Sequence, residues 1–289
     1  MGKLVLLASY PKSGNTWVRA FLTAIWNGGA VDINRLMIKS ASSRAFLDAM
    51  LGVSSVHFTA REIARMRPDL YGLAARRSEA DKRPFIKIHD AWLSPGPGIE
   101  LPVHDDHIDR ILYIVRDPRD VAISLARHLG TTIDGSIAIM ADTGFWLSSY
   151  PQRPGQHTQQ FLSSWSAHVD SWLAPRPIAS LLVRYEDLLA APRAKFAEVL
   201  DFLRIKPTPE AFELGIQATR FEALQRQEEE GGFVEKPAGS HLFFHGGRSR
   251  TWESILTDTQ AGAIAETHAT VMGRLGYAIQ PIPRNMPNQ

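Results

Sequence analysis

Lys12, Ser13, Gly14, Asn15 and Thr16 fall in one run, Tyr10-Pro11-Lys12-Ser13-Gly14-Asn15-Thr16-Trp17, whose chemistry is that of an anion cradle. Lys12 supplies a full positive charge, Ser13, Asn15 and Thr16 supply short hydrogen-bonding side chains, and Gly14 lets the backbone approach closely. The same residue types serve as ordinary helix caps, so the run alone leaves a plain helix start open. A second pair, Lys87 and His89, lies two residues apart in Pro84-Phe85-Ile86-Lys87-Ile88-His89-Asp90. Strand alternation puts Phe85, Lys87 and His89 on one face and Ile86 and Ile88 on the other, so an ammonium and an imidazole can point into the same cleft, while the piece alone leaves a strand end in solvent open. An imidazole with a pKa of about 6.5 is suited to removing a proton at neutral pH. The third candidate is Arg116 with Ser124, which lies about two helical turns further on.

Each group implies an element that positions it. Leu4-Val5-Leu6-Leu7-Ala8 reads as a strand and Val18 to Trp26 as an amphipathic helix, so the cradle is a strand-to-helix loop with the positive end of a helix dipole behind it. Arg110 to Val115 reads as a buried parallel strand, and Pro118 suits the first turn of the helix that carries Ser124. Arg116 thus leaves the carboxyl end of a strand, where open α/β sheets bind ligands. Arg119 reads as a surface cation or a partner of Asp120. Ser180 to Leu188 reads as a further buried strand ending in a polar turn, with Glu186 and Asp187 as helix-start acids. Between Asp32 and Ala80, Ala45 to Leu51 and Ala60 to Met66 have helical spacing, and the basic residues Arg76, Arg77, Lys82 and Arg83 flank a solvated connection. A helix is predicted over Phe161 to Leu173, with Trp165, His168 and Trp172 on a core stripe. Two less regular segments are predicted to move: an insertion over 130–160 on the acceptor side, and a glycine-bearing loop over 228–251 that closes over phosphate.

The chain has 289 residues, 44% of them hydrophobic, a formal charge of +2 and no cysteine. One α/β domain over 1–289 is the simplest organisation. The small net charge makes no demand for nucleic acid or an anionic membrane, and a pI near 8.9 gives mild support for anionic ligands. Without cysteine there are no disulfides, catalytic thiols or cysteine-held zinc. His104-Asp105-Asp106-His107 has ligand-type residues, but its place between Pro102 and a new strand reads as a polar loop. The other scattered histidines are given no role. No apolar stretch suits a signal sequence or a membrane span, so the expected location is cytoplasmic.

The cradle differs from the loop of nucleoside triphosphatases, since its lysine precedes the glycine by two residues and no glycine stands five before Gly14. The run closely resembles the 5′-phosphosulfate-binding loop of the sulfotransferase family, which uses 3′-phosphoadenosine 5′-phosphosulfate as donor. Lys87-Ile88-His89 resembles that family's Lys-x-His, and Arg116-Asp117-Pro118-Arg119-Asp120 with Ser124 resembles its 3′-phosphate segment. Arg184-Tyr185-Glu186-Asp187-Leu188 and Ala218-Thr219-Arg220-Phe221-Glu222 resemble segments that contact the nucleoside.

The resemblance implies a P-loop-like three-layer α/β fold, a central parallel sheet with helices on both faces. It implies in-line sulfuryl transfer to a hydroxyl or amine, with His89 as general base, Lys12 at the leaving phosphate oxygen and Lys87 at the sulfuryl group. Donor binding falls to Lys12, Ser13, Gly14, Asn15, Thr16 and Trp17, to Arg116 and Ser124, and to Tyr185, Thr219 and Phe221, with Trp17 and Phe221 as stacking walls. The family's closing Arg-Lys-Gly-x-x-Gly-x-Trp departs here: aligned on Trp252 it keeps Gly247 but meets His245 and Gly246 in place of Arg-Lys. Arg248 and Arg250 are the displaced cations expected to restore the 3′-phosphate contact. The product would be adenosine 3′,5′-bisphosphate, no metal is required, and the expected partner is a small-molecule acceptor without nucleic acid or membrane, for a monomer or homodimer. Two alternatives stand beside this reading: a nucleotide kinase or NTPase, and a nucleotide-binding module without catalysis.

Overall fold

Leu4–Ser9 (β1) sends Leu4, Leu6 and Ala8 into one core and Val5 and Leu7 into another, all fully buried. That double burial explains a continuous apolar run: a central parallel strand is covered on both faces. The computed structural model describes residues 3–77, 83–94, 96, 103–148, 156–236 and 242–279. The basic connection around Lys82, residues 149–155 of the insertion with Tyr150, and residues 237–241 of the loop lie outside them.

In chain order, β1 is followed by Asn15–Trp26 (α1), Lys39–Ser40 (β2), Arg44–Leu51 (α2), Ala60–Arg77 (α3) and Phe85–Ile88 (β3). Then come Ile108–Val115 (β4), Pro118–Leu129 (α4), Ile133–Ala141 (α5), Trp146–Leu147 (β5), Gln160–Phe161 (β6), Trp165–Leu173 (α6) and Ala179–Arg184 (β7). The remaining helices are Tyr185–Ala190 (α7), Pro192–Leu203 (α8), Pro209–Ala218 (α9), Phe221–Gly231 (α10), Trp252–Ile255 (α11) and Asp258–Arg274 (α12).

Five parallel strands pair in the order β2-β3-β1-β4-β7. One face is covered by residues of α3, α4, α6 and α12, including Tyr71, Val121, Trp165, Trp172 and Met272. The other is covered by α1, α8 and α9 through Phe21, Phe196, Leu200 and Ile216. Full burial of each such side chain contributes about 1.5–3 kcal/mol, so this three-layer packing supplies the main driving force. The strands that follow β1 lie first on one side of it, β2 and β3, and then on the other, β4 and β7, and this reversal makes the carboxyl end of β1 the place where an open sheet binds ligands.

Several sequence expectations are corrected. β7 is an edge strand and half exposed, since among the described residues no strand pairs beyond it in this sheet. The predicted helix over Phe161–Leu173 starts only at Trp165: Phe161 pairs with Trp146 in a two-stranded ribbon, Ser163 adopts φ 57° and the Ser164 hydroxyl caps the helix. Insertion 130–160 is largely regular where described, with α5 anchored by the Ser136 hydroxyl on the Ala122 carbonyl, 2.7 Å away. Loop 228–251 begins later than expected, because α10 runs through Gly231. The buried Glu228 carboxylate there accepts from the backbone N–H groups of Phe243 and Phe244.

Candidate active site

The loop after β1 starts the site. Lys12 adopts φ 68° and Gly14 φ 101°, so the chain turns sharply into α1, which no side chain caps. The Trp17 N–H turns back to the Gly14 carbonyl at 3.1 Å, and the earlier N–H groups of the turn suit an anion. A Cβ on Gly14 would lie 2.5 Å from the Tyr185 ring, so that position must be glycine for the ring to rest on the loop. Arg116 follows β4, stacks its guanidinium 4.5 Å from the Tyr185 ring centroid, and donates to the carbonyls of Lys12 and Arg248. A cavity of about 1650 Å³ opens over these residues. A drug-sized pocket is roughly 300–1,000 Å³, so there is room here for more than one small ligand.

Lys12 is poised by its surroundings. Burial, and then the positive charges of Lys87 and Arg116, push its pKa down to about 7, and its Nζ lies 3.8 Å from the Phe243 ring centroid. Lys87 is lowered by burial while Glu235, 3.5 Å away, opposes the shift. Burial alone would raise the Glu235 carboxyl, but Lys87 and a bidentate Arg19 hold it well below the usual carboxylate range.

His89 completes the cleft. The Ser9 carbonyl, which can only accept, lies 2.7 Å from Nδ1, so that nitrogen carries the proton and Nε2 is left with its lone pair. Burial first, then the charge of Lys87, pushes its pKa well below the ordinary histidine value. The imidazole is therefore neutral at pH 7. Its backbone is fixed from behind: His168 Nε2 donates to the His89 carbonyl at 3.0 Å, and Tyr113 donates to His168 Nδ1 at 2.9 Å.

The chain matches the sulfotransferase domain over residues 3–276. It belongs to the sulfotransferase family. It is 24% identical to flavonol 3-sulfotransferase of Flaveria bidentis over 289 residues, covering 96% of this chain and 84% of that one. It is 27% identical over 221 residues to cytosolic sulfotransferase 14 of Arabidopsis thaliana, covering 73% of this chain but spanning only 56% of the length of that relative. Its fold is similar to that of mouse sulfotransferase SULT7A1 complexed with PAP, at TM-score 0.62 and 18% identity, with 96% of this chain and 89% of that one covered. A kinase or NTPase reading is not favoured by this membership.

Within this member of the family, the cavity brings together Lys12, Gly14, Asn15, Thr16, Trp17, Lys87, His89, Arg116, Ser124, Tyr185, Thr219, Phe221, Gly247 and Arg248. Gly247 has φ 53° and lies so close to Phe221 that a Cβ would approach its ring to 2.3 Å. Trp17 meets Tyr185 and Phe196 edge-on and shares a cluster with Phe221. Four residues differ from expectation. Asn15 turns its amide inward, donating to the Leu7 carbonyl and Ser9 hydroxyl, so only its backbone is left for phosphate. Ser13 is fully buried outside the cavity lining, and its hydroxyl has no partner among the described residues. Arg250 pairs with Glu253 on the surface and is not among the lining residues. Arg119 is buried, pairs with Asp117 rather than Asp120 and stacks on Trp252. Asp120 is spent on the backbone of Arg250 and Trp252 and on the Thr251 hydroxyl. Thr219 also donates its hydroxyl to the Gly215 carbonyl.

Sequence reasoning missed Glu235, Arg19, His128 and His157. Arg19 gave a faint signal as a charge on the apolar face of α1, and it is 2% exposed. His128 and His157 gave none, because what makes them site residues is the convergence of α4 with the segment after residue 155.

Proposed function

We propose that this protein transfers a sulfuryl group from 3′-phosphoadenosine 5′-phosphosulfate to a hydroxyl or amine of a small molecule, releasing adenosine 3′,5′-bisphosphate. One observation carries the reading: a single cavity joins the uncapped N-terminus of α1, Lys12 and Arg116 to His89, whose Nδ1–H is engaged by Ser9 and whose Nε2 has no partner among the described residues. The loop and Arg116 with Ser124 and Arg248 bind the two phosphates of the donor, and Tyr185, Trp17 and Phe221 wall the nucleoside. His89 Nε2 takes the acceptor proton as the acceptor oxygen or nitrogen attacks sulfur and the sulfur–phosphate oxygen bond breaks. Lys12 steadies the charge that develops on the phosphate oxygen, and Lys87 orients the sulfuryl oxygens. Catalysis then rests on positioned charge and one proton acceptor, which needs no metal.

The match to proteins named cytosolic sulfotransferases supports a cytoplasmic location, and among the described residues no helix is long and apolar enough to cross a membrane. We read 1–289 as one sulfotransferase domain, with the part of 228–251 around the cavity as its adjustable wall. The test is a transfer assay with radiolabelled donor against a broad panel of hydroxyl and amine acceptors. His89→Ala is expected to lower turnover about 10²–10⁴-fold. Lys12→Ala should lower it by about 10²–10³-fold. Near-normal turnover in either variant removes that residue from the mechanism, and a wild-type protein that labels nothing while binding the bisphosphate is a binding module.

A further inference from the structure

Beside the phosphate loop, Lys87 and His89, the cavity has a further wall of uncommon composition. His128 comes from the last turn of α4, and His157 and Gln160 come from the strap 156–161 that leads into and includes β6. Ser40 and Ser42 face them from the end of β2 and just beyond. Ser40 Oγ lies 3.0 Å from Ser42 Oγ, which lies 3.1 Å from His157 Nδ1, so the hydroxyls and the imidazole form one chain. His128 Nδ1 is buried without a hydrogen-bond partner among the described residues. Both imidazoles are held neutral: burial first, then the cations Lys12 and Lys87, pushes His128 down to about 3, and burial followed by Lys87 lowers His157. The nearby carboxylate of Glu235 is committed to Arg19 and Lys87.

The strap is anchored rather than loose. Thr158 donates its backbone N–H to the Ser42 carbonyl at 2.8 Å, Arg44 donates to the Gln156 carbonyl at 3.0 Å, and Phe161 donates to buried Asp90 at 3.0 Å. A fixed wall of neutral groups, each able to donate and accept, matches adjacent hydroxyl groups of a ligand. An apolar acceptor would leave the buried His128 Nδ1 unpaired and the remaining hydrogen-bonding capacity of the Ser40–Ser42–His157 chain unused, and an unmet buried group costs roughly tenfold in preference.

We propose that the acceptor is a small polyhydroxylated molecule of the saccharide class, with one hydroxyl at His89 and its neighbours paired to His128, His157, Gln160 and the Ser40–Ser42 hydroxyls. This rests on the sulfuryl-transfer reading above. The attacking hydroxyl forms the new S–O bond, its proton passes to His89 Nε2, and adenosine 3′,5′-bisphosphate leaves with the electron pair of the broken bond.

The experiment compares kcat/KM for radiolabelled donor with methyl glucoside, trehalose and myo-inositol against 2-naphthol, beside a thermal-shift titration with adenosine 3′,5′-bisphosphate. At least one polyol is expected to exceed 2-naphthol by tenfold or more. In the double variant His128→Phe/His157→Phe, the ratio of polyol to naphthol kcat/KM should fall at least tenfold, a readout that partial loss of folded protein does not move. Naphthol turned over equally well or better, or a ratio unchanged in the variant, overturns the acceptor class and leaves the donor reading standing. So does a protein stabilised by the bisphosphate that labels neither class. No label and no stabilisation would overturn both readings together.

Discussion

At the residue scale, the two titratable groups of the proposed mechanism are set by opposite needs. His89 must be neutral to accept a proton, and burial with the Lys87 charge keeps it so well below its ordinary value. Lys12 must be charged to hold phosphate, yet burial and its cationic neighbours bring it to about 7 in the free protein. The signs follow directly: acidification below the His89 pKa protonates the base, and alkalinisation through about pH 7 removes the Lys12 charge. The profile of kcat/KM for the donor, which reports the free enzyme, should therefore have an acid limb below pH 6.5 and a basic limb near 7. Bound phosphate stabilises the charged lysine, so the basic limb of kcat should move to higher pH. An acid limb at or above 6.5 would contradict the neutral His89 described here.

At the element scale, the wall carrying His157 and Gln160 depends on a buried ion pair. Arg67 of α3 is bidentate to Asp90, donates to the Gln159 carbonyl and bonds Tyr71, whose hydroxyl donates to the Ala41 carbonyl. Asp90 in turn accepts from the Phe161 N–H, so one ion pair ties α3 and the end of β3 to the strap. Burial opposes the Arg67 charge, but Asp90 and Tyr71 hold its pKa above the ordinary arginine value. Removing one partner leaves a buried charge and should cost about 3–5 kcal/mol. Arg67→Met and Asp90→Asn are each expected to lower the denaturation midpoint sharply in urea or heat, and Arg67→Met/Asp90→Leu together should recover much of the loss. A single variant within about 0.5 kcal/mol of the parent would show that the pair does not support this wall.

At the scale of the whole molecule, donor binding should be visible as stability. A ligand at 100 times its dissociation constant adds about 2.7 kcal/mol, which for a chain of this size raises the midpoint by roughly 5–10 °C. Adenosine 3′,5′-bisphosphate should give that shift and 5′-AMP a smaller one, since Arg116, Ser124 and Arg248 recognise the 3′-phosphate in the proposed site; equal shifts would remove that assignment. Much of this site was legible in the chain alone. The apolar runs of β1 and β4, Gly14, Lys12, and the Lys87/His89 alternation are local patterns, and local sterics with period-two burial suffice to place them. Other features depend on where distant segments meet. The exposure of β7 depends on its place at the sheet edge, the inward turn of Asn15 on the proximity of Leu7 and Ser9, and the loss of Arg250 to Glu253 on the turn before α11. Glu235 reaches Arg19 across 216 positions of sequence, and His157 meets Ser42 across 115. Sequence by itself determined the strand–loop–helix around Lys12 and Gly14, the shared face of Lys87 and His89 and the α/β class, because each rests on neighbours along the chain; only the tertiary structure decided which groups join them around the cavity, because Glu235, His128 and His157 come from separate elements brought together by the burial of apolar faces elsewhere.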